Sequence, residues 1–109
     1  MKFIKSFNLD YSPTASSYVS LTLEKTAELL RYRVRYEVIN DDRDEVMFDG
    51  SHSRTLFLSK SEIWNDSASS DLLDSLIEDT RAACQVCKYN SGEVMEVVRA
   101  VIDLFRSVR

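Results

Sequence analysis

Proline occurs once in this 109-residue chain, histidine once, and glycine and cysteine twice each. Each scarcity removes a class of explanation. With Gly50 and Gly92 as the whole supply, no glycine-rich loop of the P-loop or dinucleotide-binding type can form, and nucleotide-dependent catalysis is not expected. Cys84 and Cys87 lie three residues apart and cannot staple a fold, which fits a reducing compartment. A zinc site needs about four ligands, and beyond the two thiols the chain offers only His52. No apolar run approaches the ~18 residues that a membrane span requires. The opening Met1 to Phe7 enters a polar strand pattern in place of a signal-peptide apolar region. The expectation is a cytoplasmic protein with no membrane segment, no cofactor and no metal.

Charge is plentiful but unbalanced in the acidic direction, with 18 acidic and 14 basic residues and a formal net charge of -4. That balance argues against general binding to nucleic acid or to an anionic membrane. The length suits one domain, residues 1–109, burying roughly 65% of its unfolded surface.

Hydrophobic periodicity supplies the fold class. Phe3, Lys5, Phe7, Leu9 and Tyr11 alternate with Ile4, Ser6, Asn8 and Asp10 in a first strand that Pro13 ends. Val19, Leu21 and Leu23 form one face of a second strand, and a turn near Lys25 and Thr26 would fold it back, although Glu24 to Arg31 also reads as good helix sequence. In the third strand Leu30, Tyr32, Val34, Tyr36 and Val38 share one face, while Arg31, Arg33, Arg35 and Glu37 share the other. A polar turn from Asn40 to Asp44 leads to a short fourth strand with Val46 and Phe48. A second turn, Asp49 to Ser53, then leads to a fifth strand from Thr55 to Ser59, with Leu56 and Leu58 on the side of Val46 and Phe48. Lys60 to Ser70 is a connector containing Ile63 and Trp64. From Asp71 the period becomes helical through Leu72, Leu76, Thr80, Ala83, Cys84 and Cys87, with Ser70 as the cap. Tyr89 to Gly92 break it, and Val94 to Val108 form a second stripe. Strands followed by helices predict an α+β fold: an antiparallel β-meander of four to five strands with two C-terminal α-helices on one face.

Candidate chemistry is sparse. The Cys84-x-x-Cys87 pair falls near the C-terminal end of its helix, where the dipole opposes thiolate formation, and it lies on the apolar stripe, so a packing role is expected. His52, flanked by serines, shows neither an oriented partner nor a pocket and reads as an exposed turn residue. The arginine stripe is the strongest signal. Suppose Val19 faces Tyr32 and Leu21 faces Leu30. Tyr18 then lies opposite Arg33 and Ser20 opposite Arg31. With Tyr36 opposite Phe48, Arg35 meets Asp49 and Arg31 is left without a partner. Asp41, Asp42, Asp44 and Glu45 cluster in the long turn, where carboxylates are ordinarily solvated but could meet a basic partner surface.

The order of short strands before two helices, with the opening Met-Lys-Phe-Ile-Lys, is similar to small phage anti-CRISPR proteins, which act by binding effector complexes. The resemblance implies a binding protein, and no residue role is carried over from it. Small, acidic immunity proteins and antitoxins share the same general style.

The resulting expectation is a non-enzymatic protein-binding module of inhibitor, immunity or anti-defence type, which could be homodimeric. Its contact residues would be Tyr18, Arg31, Arg33 and Arg35 on the open sheet face, with Asp41, Asp42, Asp44 and Glu45 assisting. Two alternatives stand beside it. One is a small-ligand pocket between sheet and helices lined by Phe3, Phe7, Trp64 and Tyr89. The other, disfavoured because the strand's tyrosines point toward the core, is nucleic-acid binding by the arginine stripe.

Overall fold

The computed structural model describes residues 1–57 and 66–108. Four strands, β1 (Lys2–Ser12), β2 (Ala15–Lys25), β3 (Leu29–Asn40) and β4 (Glu45–Phe57), precede two helices, α1 (Asp66–Val86) and α2 (Ser91–Val108). The strands pair in chain order, each antiparallel to the next. The expected α+β meander with two C-terminal helices is the fold.

Local chemistry fixes each reversal. Pro13 and Thr14 connect β1 to β2 with no positive φ, an unprimed turn whose twist suits a hairpin poorly; the bulge at Tyr11, between Asp10 and Ser12, supplies the extra twist. At the second turn the Thr26 hydroxyl accepts the Glu28 and Leu29 amides, each at 3.2 Å, and the Thr26 amide donates to the Leu29 carbonyl at 2.9 Å. This hairpin closes two residues later than a turn at Lys25 and Thr26 would. Val19 therefore faces Tyr36 and Leu21 faces Val34, and Glu24 pairs with Arg31 in extended backbone, not in a helical turn. A slide of four residues keeps every side chain on its own face, so alternation could not detect it. The longer hairpin also sets Leu23 against Tyr32, both fully buried. In the third turn the Asn40 side-chain oxygen accepts the Asp42 and Arg43 amides, and Asp44 takes a left-handed φ of 52°.

Beyond that turn the sheet departs from expectation. Asp49 to Ser53 do not turn; they continue one 13-residue strand, so the fourth and fifth strands are one. Gly50 faces Tyr36, and a Cβ there would run into the Tyr36 ring. The glycine admits a close side-chain approach within a strand, and His52 is an exposed strand residue, not a turn residue. A bulge at Met47 moves Val46 opposite Ile39, away from the face that holds Phe48 and Leu56. Leu58 and Ser59 of the expected fifth strand, and Lys60 to Asn65 of the connector with Ile63 and Trp64, lie outside the described residues.

Helix α1 begins at Asp66, so Ser70 is interior and not a cap. Ser69 is fully buried three residues before Leu72; the inward stripe continues through a polar residue that hydrophobic periodicity passes over. The helix ends in a Schellman motif. Lys88 is left-handed at φ 59°, its amide donates to the Gln85 carbonyl, and the Tyr89 amide reaches the Cys84 carbonyl at 3.0 Å. Asn90 then opens α2 through a capping box: its side chain accepts the Glu93 amide and its own amide donates to Glu93 Oε1, both at 2.9 Å.

Both helices cover the same sheet face, α1 over β3 and β4 and α2 over β2. Leu72, Leu76, Ala83, Cys84 and Cys87 meet Val97, Val101 and Phe105 over Val19, Leu21, Leu23, Leu30 and Val34. Fully burying each large aliphatic or aromatic side chain contributes roughly 1.5–3 kcal/mol relative to exposure. The Tyr32 hydroxyl donates to Asp79 Oδ2 at 2.6 Å, tying sheet to α1, and Lys25 Nζ donates to the Val108 carbonyl at 3.2 Å, placing a cation at the C-terminal end of α2. At the opposite end the Tyr11 and Phe48 rings meet edge-on at 5.8 Å, with Lys88 Nζ 4.7 Å from the Tyr11 ring centre. The other sheet face carries neither helix.

Candidate functional site on the open sheet face

Cross-strand register turns the uncovered face into rows. Lys2, Glu24, Arg31 and Thr55 form the first row, followed by Ile4, Thr22, Arg33 and Ser53, and then by Ser6, Ser20, Arg35 and Ser51. The fourth holds Asn8, Tyr18, Glu37 and Asp49, and the fifth Asp10, Ser16, Ile39 and Val46. Short hydroxyl side chains on β2 and β4 flank the β3 arginines, Thr22 and Ser53 beside Arg33 and Ser20 and Ser51 beside Arg35.

The register changes the partners of the stripe. Arg31 is not the unsatisfied member, because its Nη2 and Nε both donate to Glu24 Oε2, at 2.8 and 3.2 Å. Arg35 pairs with Glu37 of its own strand at 3.5 Å, not with Asp49, and lies opposite Ser51. Arg33 lies between Thr22 and Ser53, not against Tyr18, and among the described residues it has no carboxylate partner. It lines a shallow groove of about 400 Å³ with Lys2, Thr22, Glu24, Arg31 and Ser53. In both ion pairs the arginine is about half exposed and the glutamate about a quarter, which limits each to about 0–1 kcal/mol of stability.

The acidic turn lies at the other end of the face. Ser16 Oγ hydrogen-bonds both Asp41 carboxylate oxygens at 2.9 Å, and the Asp41 amide donates to the Thr14 carbonyl, so two turns are bound together. Asp42, Asp44 and Glu45 are exposed beyond it. The expected contact residues thus fall at two poles: Arg31, Arg33 and Arg35 toward one end of the open face, and Asp41, Asp42, Asp44 and Glu45 in and after the turn at the other, with Tyr18 between. Glu45, opposite Asn40, is on the helix side of the sheet and not on the open face. Sequence reasoning passes over Lys2 at the basic pole and Asp10 on the acidic side, and it places Glu37 and Asp49 beside the stripe without counting them as contact residues. Their alternation carries the signal, but Asp49 beside Gly50 reads as part of a turn.

Elsewhere chemical groups are committed to packing. Cys84 and Cys87 are buried, and burial pushes their thiols up to about 12 and about 11. Tyr32 is held protonated, its pKa raised first by burial and then by the Asp79 carboxylate. Tyr89 is buried, with Ser17 as a polar neighbour whose hydroxyl already donates to the Leu9 carbonyl. Of the residues expected to line a ligand pocket, Tyr89 lies in the core, Phe3 packs against its margin, and Phe7 borders a groove of about 300 Å³ with Leu9, Glu93 and Glu96; Trp64 is outside the described residues. No helix among the described residues is long and apolar enough to cross a membrane, and none of their His, Cys, Asp and Glu side chains form a metal-holding group of three.

Fold and surface together define a small α+β protein with one helix-covered and one open, two-signed sheet face. Comparison with protein-family models, curated proteins and solved structures finds no match.

Proposed function

We propose that this chain is a non-enzymatic protein-binding module, of inhibitor, immunity or anti-defence type, whose contact surface is the open sheet face. The observation that carries this reading is Arg33: an exposed guanidinium without a carboxylate partner among the described residues, on a rigid central strand, beside a groove and surrounded by short hydroxyls. Arginine and tyrosine are favoured interface anchors, because a planar donor fork or an aromatic ring contributes strongly once water is excluded. Holding them on paired strands limits the conformational entropy lost on binding. Tyr18 and Arg35 extend the patch across the sheet.

The test is affinity capture from cells of the native host with the wild type and with Arg33→Glu combined with Arg35→Glu. Loss of an anchor of this kind costs about 2 kcal/mol or more, roughly thirtyfold in affinity, so the retained partner should be lost. Equal retention by a correctly folded double variant removes the reading.

A further inference from the structure

The charges on the open face are segregated by sign along the strands. Lys2, Arg31, Arg33 and Arg35, with Glu24, occupy one half; Glu37, Asp49, Asp10 and Asp41 occupy the other. A surface divided in this way matches a copy of itself turned end for end. A two-fold axis in the plane between two stacked sheets, perpendicular to the strands, sets each strand over its own counterpart in the opposite direction. The Arg35 row then lies over the Glu37 row and Arg31 over the Asp41 turn at both ends, with the Arg33 row over Asp10, Ser16, Ile39 and Val46, and this gives the self-complementarity that an isologous dimer requires.

We infer that the partner of the open face is a second copy of this chain, stacked face to face with strands antiparallel about that axis. The inference rests on the reading of the open face as a contact surface and names its occupant. The axis passes between the row of Arg35 and the row of Glu37. These neighbours in β3, 3.5 Å apart, meet the same pair from the other copy in a cluster of four alternating charges. Arg31 lies over the opposite copy's Asp41 turn, and Arg33 lies over its Ile39, two strands from Asp10. The serines and threonines of β1, β2 and β4 are short enough for the sheets to approach.

The area is sufficient. Four strands at ~4.8 Å spacing and ~11 residues at ~3.4 Å give about 19 by 37 Å, on the order of 700 Å² per copy. A standard specific interface buries about 800 Å² per partner. Charged and hydroxyl side chains outnumber the apolar Ile4, Ile39 and Val46 on this face, so association is sensitive to salt.

Sedimentation equilibrium tests the inference on the full chain, with circular dichroism confirming that each variant is folded. The wild type is expected to dimerise at about 0.02 M ionic strength and to weaken at least tenfold at about 0.5 M, where the Debye length falls below about 5 Å. Arg33→Glu with Arg35→Glu turns the middle of the face acidic, and Glu37→Arg with Asp49→Arg turns it basic. Each variant alone should be monomeric, and an equimolar mixture should form a heterodimer. A monomeric wild type at low salt, a dimer that survives either reversal, or a mixture that stays monomeric overturns the second-copy inference. None of these decides the contact-surface reading, which fails separately if capture is unchanged by the arginine reversals.

Discussion

Raising the pH should unfold this protein through its buried thiols. Cys84 and Cys87 are 0% and 1% exposed, and burial raises their pKa values from 9.0 to about 12 and about 11. In the unfolded chain both ionise at ordinary values, so above pH 9 the unfolded state releases protons that the folded state retains. The sign follows: the stabilisation is complete below pH 9 and is lost as pH rises toward the folded-state values. For each thiol the slope approaches about 1.4 kcal/mol per pH unit, so the pair approaches about 2.7 kcal/mol per unit between pH 9 and 11. Tyr32 and Tyr89, also raised, add to the slope above pH 10. Urea midpoints measured from pH 8 to 10.5 should fall steeply, and Cys84→Ala with Cys87→Ala should flatten the first part of the fall. At pH 8 the native thiols should react with a disulfide reagent only through opening of the structure. Labelling as fast as that of a free thiol, or a flat stability profile to pH 10.5, would refute the reasoning and return the pair to consideration as a redox site.

Three further outcomes follow from the packing. Tyr32→Phe removes a hydrogen bond to the Asp79 carboxylate and should cost about 2 kcal/mol, which for a chain of this size lowers the thermal midpoint by about 9 °C in a calorimetric scan. An unchanged midpoint would mean that the contact contributes nothing. Gly50→Val drives a side chain into the Tyr36 ring and should cost about 1–3 kcal/mol in urea unfolding; Tyr36→Ala in the same chain should relieve part of that cost, whereas strict additivity would contradict the contact. Asn90→Ala opens the capping box and should cost about 1 kcal/mol, with Asn90→Asp retaining most of the stability; equal losses would show that the cap is not the cause.

The order of elements was legible because β3 alternates without a break and α2 keeps an aliphatic stripe from Val94 to Phe105. What stayed hidden was set by contacts invisible to periodicity. The β2–β3 register depends on Thr26 bonding to Glu28 and Leu29, and a four-residue slide leaves facial alternation intact. Gly50 read as a turn residue because its partner Tyr36 lies fourteen positions away. Ser69 hid the first turn of α1 by being both polar and buried. The site was legible as a stripe and not as a circuit: the arginines shared a face as expected, but Glu24 claimed Arg31, Glu37 claimed Arg35, and Arg33 was left without a carboxylate partner among the described residues.

The most direct test of the open face is site-specific photo-crosslinking in cells of the native host. A photoreactive phenylalanine analogue would replace Ser20 on the sheet face or Arg99 on the outer helix face, where Arg99 borders a shallow groove with Met95 and Ile102. The account predicts adducts from position 20, either with a second copy of the chain or with another protein, and none from position 99. Adducts from position 99 alone would contradict it.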